Sequence, residues 1–311
     1  MDGGLWTDPE ATSNLFSNWN YMYIPYKLRI LKQRLFRRSE GEEILRLAYR
    51  RIHGKSLDLE SVQTFSEKLF RRMILVNRHG NSVFTRLADK YLVRDYVRQK
   101  IGEKYLVKLL WHGVDPRKIP FDDLPSKCVI KTNHGSGWNI ILSDSVNRED
   151  VVKKLRKWLK ENFYWLAREY HYYKIPPQII IEEFIDDGEP LGPLDYKIWC
   201  FNGRPELVQI LNHSKSFNSF YDLEWEKLVL CNRDGFEDGF EECEIKKPEN
   251  LEEMLLIASK LAADFDFVRV DLYNIRGKIY FGEFTFTLLA GELKFKPESW
   301  DLILGQKWIV N

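Results

Sequence analysis

Hydrophobic spacing along the chain predicts a helical front section followed by a mixture of strands and helices. Apolar residues recur at helical spacing over five stretches, which are 42–52, 59–75, 82–101, 147–163 and 251–265. Shorter apolar or alternating runs predict strands over 105–111, 128–130, 138–142, 178–185, 195–201, 206–211, 267–273 and 278–284. A tight turn at Asn202-Gly203 joins two of these strands, so we expect a sheet that is at least partly antiparallel. The pattern favours an α+β protein.

The first residues of the chain leave two interpretations open. Residues 1–25 show no periodicity and predict an irregular arm. The next segment, Tyr26 to Arg38, has leucines at helical spacing among many lysine and arginine residues, which predicts a basic amphipathic helix. Such a helix either contacts an anionic membrane surface, where lipid-linked substrates are found, or is the solvated face of a packed helix.

Composition narrows the classes of function. The 47 basic and 46 acidic residues give a formal charge of +1, so no global field favours nucleic acid and we expect no nucleic-acid partner. The four cysteines lack metal-ligand spacing, which is typical of reduced thiols in a cytosolic protein. We find no run of 18 apolar residues and no secretory signal pattern. The expected location is the cytoplasm, with the inner membrane surface as the alternative.

A glycine hairpin over 127–142 is the first candidate for chemistry. An apolar run brings in Lys131, a short turn follows with Gly135, Ser136 and Gly137, and a second apolar run leaves. Both glycines can take positive φ and let backbone N–H groups approach an anion, while Lys131 could contact the same phosphate. His134 in this turn could bind phosphate or substrate. The alternative is an ordinary hairpin with a solvated lysine.

Two further lysines stand where they could reach an anion. Lys90 and Arg94 are four residues apart on a predicted helix, so either a bound anion or solvent must relieve their repulsion. Lys197 shares one face of a predicted strand with Asp195. Between them lies the strand 179–184, which ends in two glutamates. Its end could offer backbone groups to an adenine and carboxylates to a ribose, or could simply make a loop soluble.

The closing hairpin carries paired carboxylates. Alternation places Arg269, Asp271 and Tyr273 on one face of its first strand. A suitable register about the turn 274–277 could bring Asp271 close to Glu283, and two such carboxylates suit Mg²⁺. A cross-strand salt bridge that uses Arg269 is the alternative. A separate acidic pattern, Asp264-Phe265-Asp266, matches the DxD pattern of glycosyltransferases.

Taken in order, these motifs resemble the ATP-grasp superfamily, and in particular its TupA-like family of teichuronopeptide biosynthesis. The resemblance covers the chain from about residue 60 onward, and it is carried by the words TFSEKL (64–69), DKYLVRDYV (89–97), LPSKCVIKTNHGSGWNI (124–140), PPQIIIEEFI (176–185), LDYKIWCFNGRPE (194–206) and DFVRVDLYNIRGKIYFGEFTFT (266–287). It implies an ATP-grasp fold with two sheet-bearing lobes around a nucleotide cleft. The implied divisions are a helical section over 1–103, a loop-bearing lobe over 104–182 and a metal-bearing lobe over 183–311.

The resemblance also implies roles for individual residues. Lys90 and Lys131 would contact the phosphates of ATP, and Gly135, Ser136 and Gly137 would close over them, with His134 nearby. The adenine hinge would comprise four consecutive residues, Glu182, Glu183, Phe184 and Ile185. Either Asp187 or Glu189 would bind the ribose.

The second lobe would supply the reacting end of the site. Lys197 would contact the γ-phosphate, Asp271 and Glu283 would hold Mg²⁺, and Arg269 would complete the catalytic group. Many ATP-grasp enzymes have an asparagine ligand two positions after this glutamate, whereas this chain has Thr285, so the third ligand is either Thr285 or water.

These roles imply an ATP-dependent carboxylate–amine ligase that forms an amide through an acyl phosphate. The expected substrates are a sugar acid or amino acid, free or lipid-linked, and an amine, in the synthesis of bacterial capsule or cell-envelope polysaccharide. A glycosyltransferase that uses a nucleotide sugar and a sugar kinase on the same fold are the alternatives.

Overall fold

A computed structural model of the chain describes residues 41–186, 188, 193–212, 217–232 and 245–310. The predicted arm and the basic helix over Tyr26 to Arg38 lie outside the described residues, as do Asp187 and Glu189. Among the described residues, no helix combines the length and the apolar character needed to cross a bilayer.

Among the described residues, four helices form the front section, where the hydrophobic spacing predicts three over 42–101. They are α1 (Gly41–His53), α2 (Phe65–His79), α3 (Ser82–Ala88) and α4 (Val93–Lys100). Helix α2 starts later than predicted because Thr64 caps it: the Thr64 hydroxyl accepts from the Glu67 N–H at 3.2 Å, and the Glu67 carboxylate accepts from the Thr64 N–H at 3.0 Å.

The predicted single helix over 82–101 is wrong, because the chain turns between α3 and α4. The Asp89 carboxylate accepts hydrogen bonds from the N–H groups of Tyr91 at 2.8 Å and Leu92 at 3.2 Å. These bonds compete with helical hydrogen bonding and redirect the backbone. Lys90 therefore lies in a turn, and only Arg94 lies on a helix.

In the part of the chain that the structure describes, the first sheet consists of four antiparallel strands. They are β1 (Leu109–Gly113), β2 (Cys128–Thr132), β3 (Asn139–Leu142) and β4 (Ile179–Glu183), in the spatial order β1-β4-β2-β3. Helices α5 (Arg148–Trp158) and α6 (Tyr164–Ala167) lie between β3 and β4 in the chain. One sheet face packs Ile130 and Ile181 against Leu155 of α5, which leaves the opposite face for polar residues.

Within the described residues, the second sheet has six strands. They are β5 (Asp195–Phe201), β6 (Arg204–Asn212), β7 (Phe217–Tyr221), β8 (Lys227–Leu228), β9 (Phe267–Ile275) and β10 (Lys278–Thr285), in the order β10-β9-β5-β6-β7-β8. All neighbouring pairs are antiparallel, so the prediction of an antiparallel sheet is confirmed. The sequence pattern missed β7 and β8. Helix α7 (Leu251–Ala262) packs on one face of this sheet, and α8 (Ser299–Lys307) follows the last strand.

An aromatic core joins the helical front to the second sheet. Phe65 at the start of α2 is fully buried and packs against Trp199 of β5, Phe267 of β9 and Trp308 after α8. The Lys68 ammonium of α2 also donates to two backbone carbonyls near the end of α8, at 2.8 and 2.7 Å. The front helices therefore share their hydrophobic core with the second sheet. The predicted division at residue 103 stays a prediction.

Candidate active site

On the first sheet, a buried glutamate holds two cations. Glu182 in β4 accepts from Lys131 of the neighbouring strand β2 and from Arg94 of α4, both at 2.7 Å. Its side chain and that of Arg94 are each only 9% exposed, whereas Lys131 is 27% exposed. Glu182 therefore faces the polar side of the sheet as a charge partner of Lys131.

The glycine loop connects β2 to β3, and its two glycines have different reasons to be there. Gly137 has a φ of 72°, which favours glycine, as predicted. Gly135 does not have a positive φ; instead a Cβ at this position would lie 2.7 Å from the Trp138 ring. Ser136 is exposed at the tip. The loop therefore presents its backbone and a hydroxyl outward above a packed tryptophan.

His134 is buried and packs inside the glycine loop. The residue is 2% exposed, and its ring nitrogens lie 3.3 Å from Asn133 Oδ1 and 3.2 Å from the Trp158 carbonyl oxygen. Burial lowers the pKa of the His134 imidazole to about 4, so the ring is neutral at pH 7. The buried ring supports the loop from within, and its contact with a phosphate stays a prediction.

The segment predicted as a hinge spans the end of β4. The Glu183 N–H donates to the Lys108 carbonyl at 3.0 Å, and its side chain is exposed. Phe184 lies beneath the Lys127 ammonium, which is 3.7 Å from the ring centroid. Phe184 and Ile185 are half-buried. The adenine role of these residues stays a prediction.

A row of charged residues crosses the second sheet. Lys197 of β5 lies directly opposite Asp271 of β9, and Asp271 lies directly opposite Glu283 of β10. The Lys197 ammonium is 2.8 Å from Asp271 and 3.2 Å from Asp195. The predicted proximity of Asp271 and Glu283 is therefore confirmed.

A β-bulge at Gly282 puts Glu283 into this row. Strict alternation would place Glu283 on the same face as Phe281, which is in the core. The register shifts between these two residues, so Gly282 is the extra residue and Glu283 emerges opposite Asp271. A Cβ on Gly282 would lie 3.1 Å from the Asp271 carbonyl oxygen. The site therefore depends on a glycine that has no functional group of its own.

Cations surround Asp271. Arg269 donates from Nε to Oδ1 at 2.6 Å and from Nη2 to Oδ2 at 2.7 Å, and it also donates to the Thr285 hydroxyl at 2.9 Å. Arg269 thus pairs with Asp271, but within β9, and not across strands as the alternative from the sequence had it. Burial disfavours the charged form of Lys197, but Asp195 and Asp271 outweigh it, so the pKa of the Lys197 ammonium is raised.

The carboxylates of this row can hold Mg²⁺ if a nucleotide supplies further oxygen ligands. An ionised carboxylate has about four lone-pair positions, and Asp271 uses three of them for Arg269 and Lys197. Among the described residues, no three His, Cys, Asp or Glu side chains lie close enough to hold a metal together. Magnesium is commonly bound by one or two carboxylates together with substrate phosphates and water, so a pair of carboxylates suffices.

Lys90 links the two sheets. Its backbone N–H donates to the Asn133 carbonyl beside the glycine loop at 3.2 Å, and its ammonium lies 3.4 Å from Glu283. Burial raises the pKa of the Glu283 carboxyl, but Lys90, Lys197 and Arg269 lower it by more, so Glu283 is ionised at pH 7. The repulsion expected between Lys90 and Arg94 is relieved by protein carboxylates, one from each sheet.

Sequence reasoning missed the brace behind Lys90. The buried Asp89 carboxylate accepts from the Asn133 amide at 2.9 Å, and the Asn133 side-chain oxygen accepts from the Gln178 N–H at 2.7 Å. These contacts fix the lysine turn to the base of the glycine loop. The signal available in the sequence was an acidic residue inside an apparent helix, which often marks a turn.

The DxD pattern does not form a joint site. Asp264 binds Lys100 at 2.7 Å, whereas Asp266 binds Arg72 at 2.5 Å and the Trp308 indole N–H at 3.0 Å. Each carboxylate therefore has different partners, and Asp266 links buried groups of the aromatic core.

Comparison with known proteins agrees with this geometry. Residues 67–309 match the model of a family described as TupA-like ATPgrasp. The match covers most of the chain and defines its class, an ATP-grasp protein of α+β fold. The chain belongs to the TupA-like ATPgrasp family, which confirms the resemblance found in the sequence.

Solved structures give only remote similarities. The chain is similar to the D-alanine–D-alanine ligase of Helicobacter pylori at 17% identity and a TM-score of 0.44, over 72% of this chain and 61% of that one. It is similar to the Bacillus anthracis D-alanine–D-alanine ligase complexed with ATP at 14% identity and a TM-score of 0.39, over 69% of this chain and 56% of that one. The ADP complex of purK, an N5-carboxyaminoimidazole ribonucleotide synthetase, gives 11% identity and a TM-score of 0.43, over 70% and 50% of the two chains.

The chain thus spans between 50% and 61% of the length of these three solved structures. A search of curated proteins found no match. The assignment to the family therefore rests on the family model and not on these similarities.

Proposed function

We propose that the protein is an ATP-dependent carboxylate–amine ligase. The observation that carries this proposal is the arrangement around Lys90, which touches the glycine loop with its backbone and Glu283 with its side chain. Lys90 thereby joins the loop that follows Lys131 to the row of Lys197, Asp271 and Glu283, and we propose that these groups line one nucleotide cleft. Lysines together with a carboxylate pair suit a nucleoside triphosphate that is bound with a divalent cation.

Each charged group has a proposed role. Lys90 and Lys131 bind phosphates of ATP, with the backbone of 135–137 closing over them. On binding, the phosphates replace Glu182 as the partner of Lys131, whose partly exposed ammonium can move. Arg94 stays with Glu182 and keeps that buried carboxylate neutralised.

The second sheet holds the reacting end of the nucleotide. Lys197 and Arg269 neutralise charge on the transferred phosphoryl group, and Asp271, Glu283 and the Thr285 hydroxyl hold Mg²⁺. When bound, the metal supplies positive charge at the phosphoryl oxygens. A substrate carboxylate oxygen attacks the γ-phosphorus, ADP leaves, and an amine then displaces phosphate from the acyl phosphate to give an amide. The glycine loop excludes water that would hydrolyse this intermediate.

The proposed substrates come from bacterial capsule or cell-envelope polysaccharide synthesis. A sugar acid or an amino acid supplies the carboxylate, either free or on a lipid carrier. We expect the reaction in the cytoplasm, with the inner membrane surface as the alternative location. The family resemblance supports this proposal, and the charged cleft supports a substrate that brings a carboxylate to ATP. The separate partners of Asp264 and Asp266 give no support to the glycosyltransferase alternative.

Two variants test the site. Lys131→Ala and Glu283→Ala should each abolish ATP turnover in the presence of Mg²⁺ and a panel of uronic acids, amino acids and amines, while circular dichroism shows an intact fold. Lys153→Ala is the matched control, because Lys153 is exposed on the outer side of α5. Turnover like that of the wild type in either site variant contradicts the assignment. A phosphorylated sugar as the product, in place of an amide, identifies the sugar kinase.

A further inference from the structure

A further carboxyl lies in this cleft and has no role so far. Glu169 follows the short helix α6, where Arg168 takes a left-handed conformation with a φ of 58° and turns the chain inward. The Thr287 hydroxyl, just beyond β10, donates to the Glu169 carboxylate. Thr287 is 2% exposed, so this contact is held by a buried group. Glu169 is thereby fixed next to the strand that carries Glu283 and Thr285.

Charge balance distinguishes Glu169 from the other acids of the cleft. Among the described residues, Glu182, Asp195, Asp271 and Glu283 each form a salt bridge with a lysine or arginine. Glu169 has a neutral hydroxyl as its hydrogen-bond partner and no such salt bridge within the described part of the chain. A carboxyl left without a cation inside a protein favours a ligand that brings one.

The pKa of Glu169 responds to the same charges that surround Glu283. Burial raises the pKa of the Glu169 carboxyl to about 8, with Glu283 adding to the increase and Thr287, Arg269 and Lys90 opposing it. Burial and the charges of Glu169 and Glu283 also raise the pKa of the Tyr172 hydroxyl, which therefore stays protonated. The hydrogen bond to Thr287, two residues after Thr285, puts the Glu169 carboxyl beside the end of the strand that carries Glu283, near the reacting end of the proposed nucleotide site.

Glu169 is not an additional ligand of the proposed metal pair Asp271 and Glu283. Among the described residues, no three acidic, histidine or cysteine side chains are close enough to share a metal, so Glu169 does not join Asp271 and Glu283 in one set.

We propose that Glu169 is a catalytic residue that binds the ammonium group of the amine substrate and accepts a proton from it. This inference rests on the proposed ligase function. In the free protein the Glu169 carboxyl, with its pKa of about 8, is mostly protonated at pH 7, and binding of the ammonium favours the ionised carboxylate and releases that proton to solvent. The ammonium then gives one proton to Glu169, and the nitrogen lone pair attacks the acyl carbon. The C–N bond forms, the bond between the acyl carbon and the phosphate oxygen breaks with its electron pair on the oxygen, and a second proton leaves with the phosphate. The products are the amide, hydrogen phosphate and protonated Glu169.

The test compares two nucleophiles with one acid. Hydroxylamine is uncharged at neutral pH and traps an acyl phosphate as a hydroxamate, so it needs no carboxylate partner. Wild type and Glu169→Gln are each given Mg-ATP and the acid from a panel of uronic acids and amino acids that supports turnover. One reaction contains hydroxylamine and the other a panel of primary amines. The ratio of amide rate to hydroxamate rate is calculated for each protein and then compared between the proteins. A difference in the amount of folded protein cancels in this ratio.

We expect the ratio to fall about a hundredfold or more in Glu169→Gln, which is typical of the loss of a general base. Thr287→Val should lower the ratio by a smaller factor, because it removes the hydroxyl that orients the carboxyl. An unchanged ratio in Glu169→Gln overturns the proposal, and so does an equal loss of both products, which would place Glu169 in the ATP step. If wild-type protein forms no hydroxamate with any acid of the panel, the ligase function itself fails and the Glu169 role falls with it.

Discussion

Replacing Glu182 with glutamine should destabilise the protein strongly, although the two side chains have the same size. Glu182 and Arg94 are each 9% exposed at their side chains and lie 2.7 Å apart. Removing the charge leaves the Arg94 guanidinium buried without its counter-ion, and breaking such a pair costs about 3–5 kcal/mol. Lys131 is 27% exposed and can regain water, so its loss adds little. We therefore expect about 3 kcal/mol, at the lower end of that range.

Urea-induced unfolding followed by tryptophan fluorescence measures this loss. Glu183→Gln is the matched control, since it removes the same charge one residue later from an exposed position and should change stability by about 0.5 kcal/mol or less. Lys131→Met should cost about 1 kcal/mol or less, because Glu182 keeps Arg94. Equal unfolding midpoints for Glu182→Gln and Glu183→Gln refute the reasoning that Glu182 is the buried counter-ion.

Three further predictions follow from other contacts. Gly282→Ala should reduce stability by about 1–3 kcal/mol, because the new Cβ crowds the Asp271 carbonyl. It should also weaken binding of a non-hydrolysable ATP analogue with Mg²⁺, measured by calorimetry. Unchanged affinity would contradict the role of the bulge at Gly282 in the site. Burial raises the pKa of the Glu67 carboxyl, but hydrogen bonds from Lys55 and from the N–H groups of Gln63 and Thr64 lower it to about 2. Its stabilisation is therefore complete above the unfolded pKa of about 4.5, and the difference in melting temperature between wild type and Glu67→Gln should vanish toward pH 2; a difference independent of pH contradicts this. Lys197→Met should lower ATP turnover about a hundredfold or more, whereas the exposed Lys227→Met control should not, and equal rates would remove Lys197 from the site.

The faces of the regular strands could be predicted from the sequence. Strand β5 follows strict alternation, so Lys197 and Asp195 lie on one face as expected, and the alternation of β9 places Arg269 and Asp271 together. The paired carboxylates needed more than alternation, since Glu283 reaches Asp271 only through the bulge at Gly282. A glycine inside a strand is a signal for such a bulge, but it does not give the register.

Contacts between distant parts of the chain could not be predicted. The bond of Lys90 to Glu283 and that of Arg94 to Glu182 depend on a turn at Asp89, which helical spacing conceals. His134 lies in a motif rich in glycine that suggests phosphate, yet packing against Trp138 buries it. The adenine, ribose and substrate roles of the remaining residues are still predictions.

Transfer of an oxygen atom tests the ligase proposal most directly. The protein is incubated with Mg-ATP, an amine and an acid of the panel whose carboxyl group carries ¹⁸O. The masses of the released phosphate and of the organic product are then measured by mass spectrometry. Attack of the carboxylate on the γ-phosphorus predicts one labelled oxygen in the released phosphate and an organic product that equals acid plus amine minus water. Unlabelled phosphate together with a product that has gained a phosphoryl group, or condensation without loss of phosphate from ATP, contradicts it.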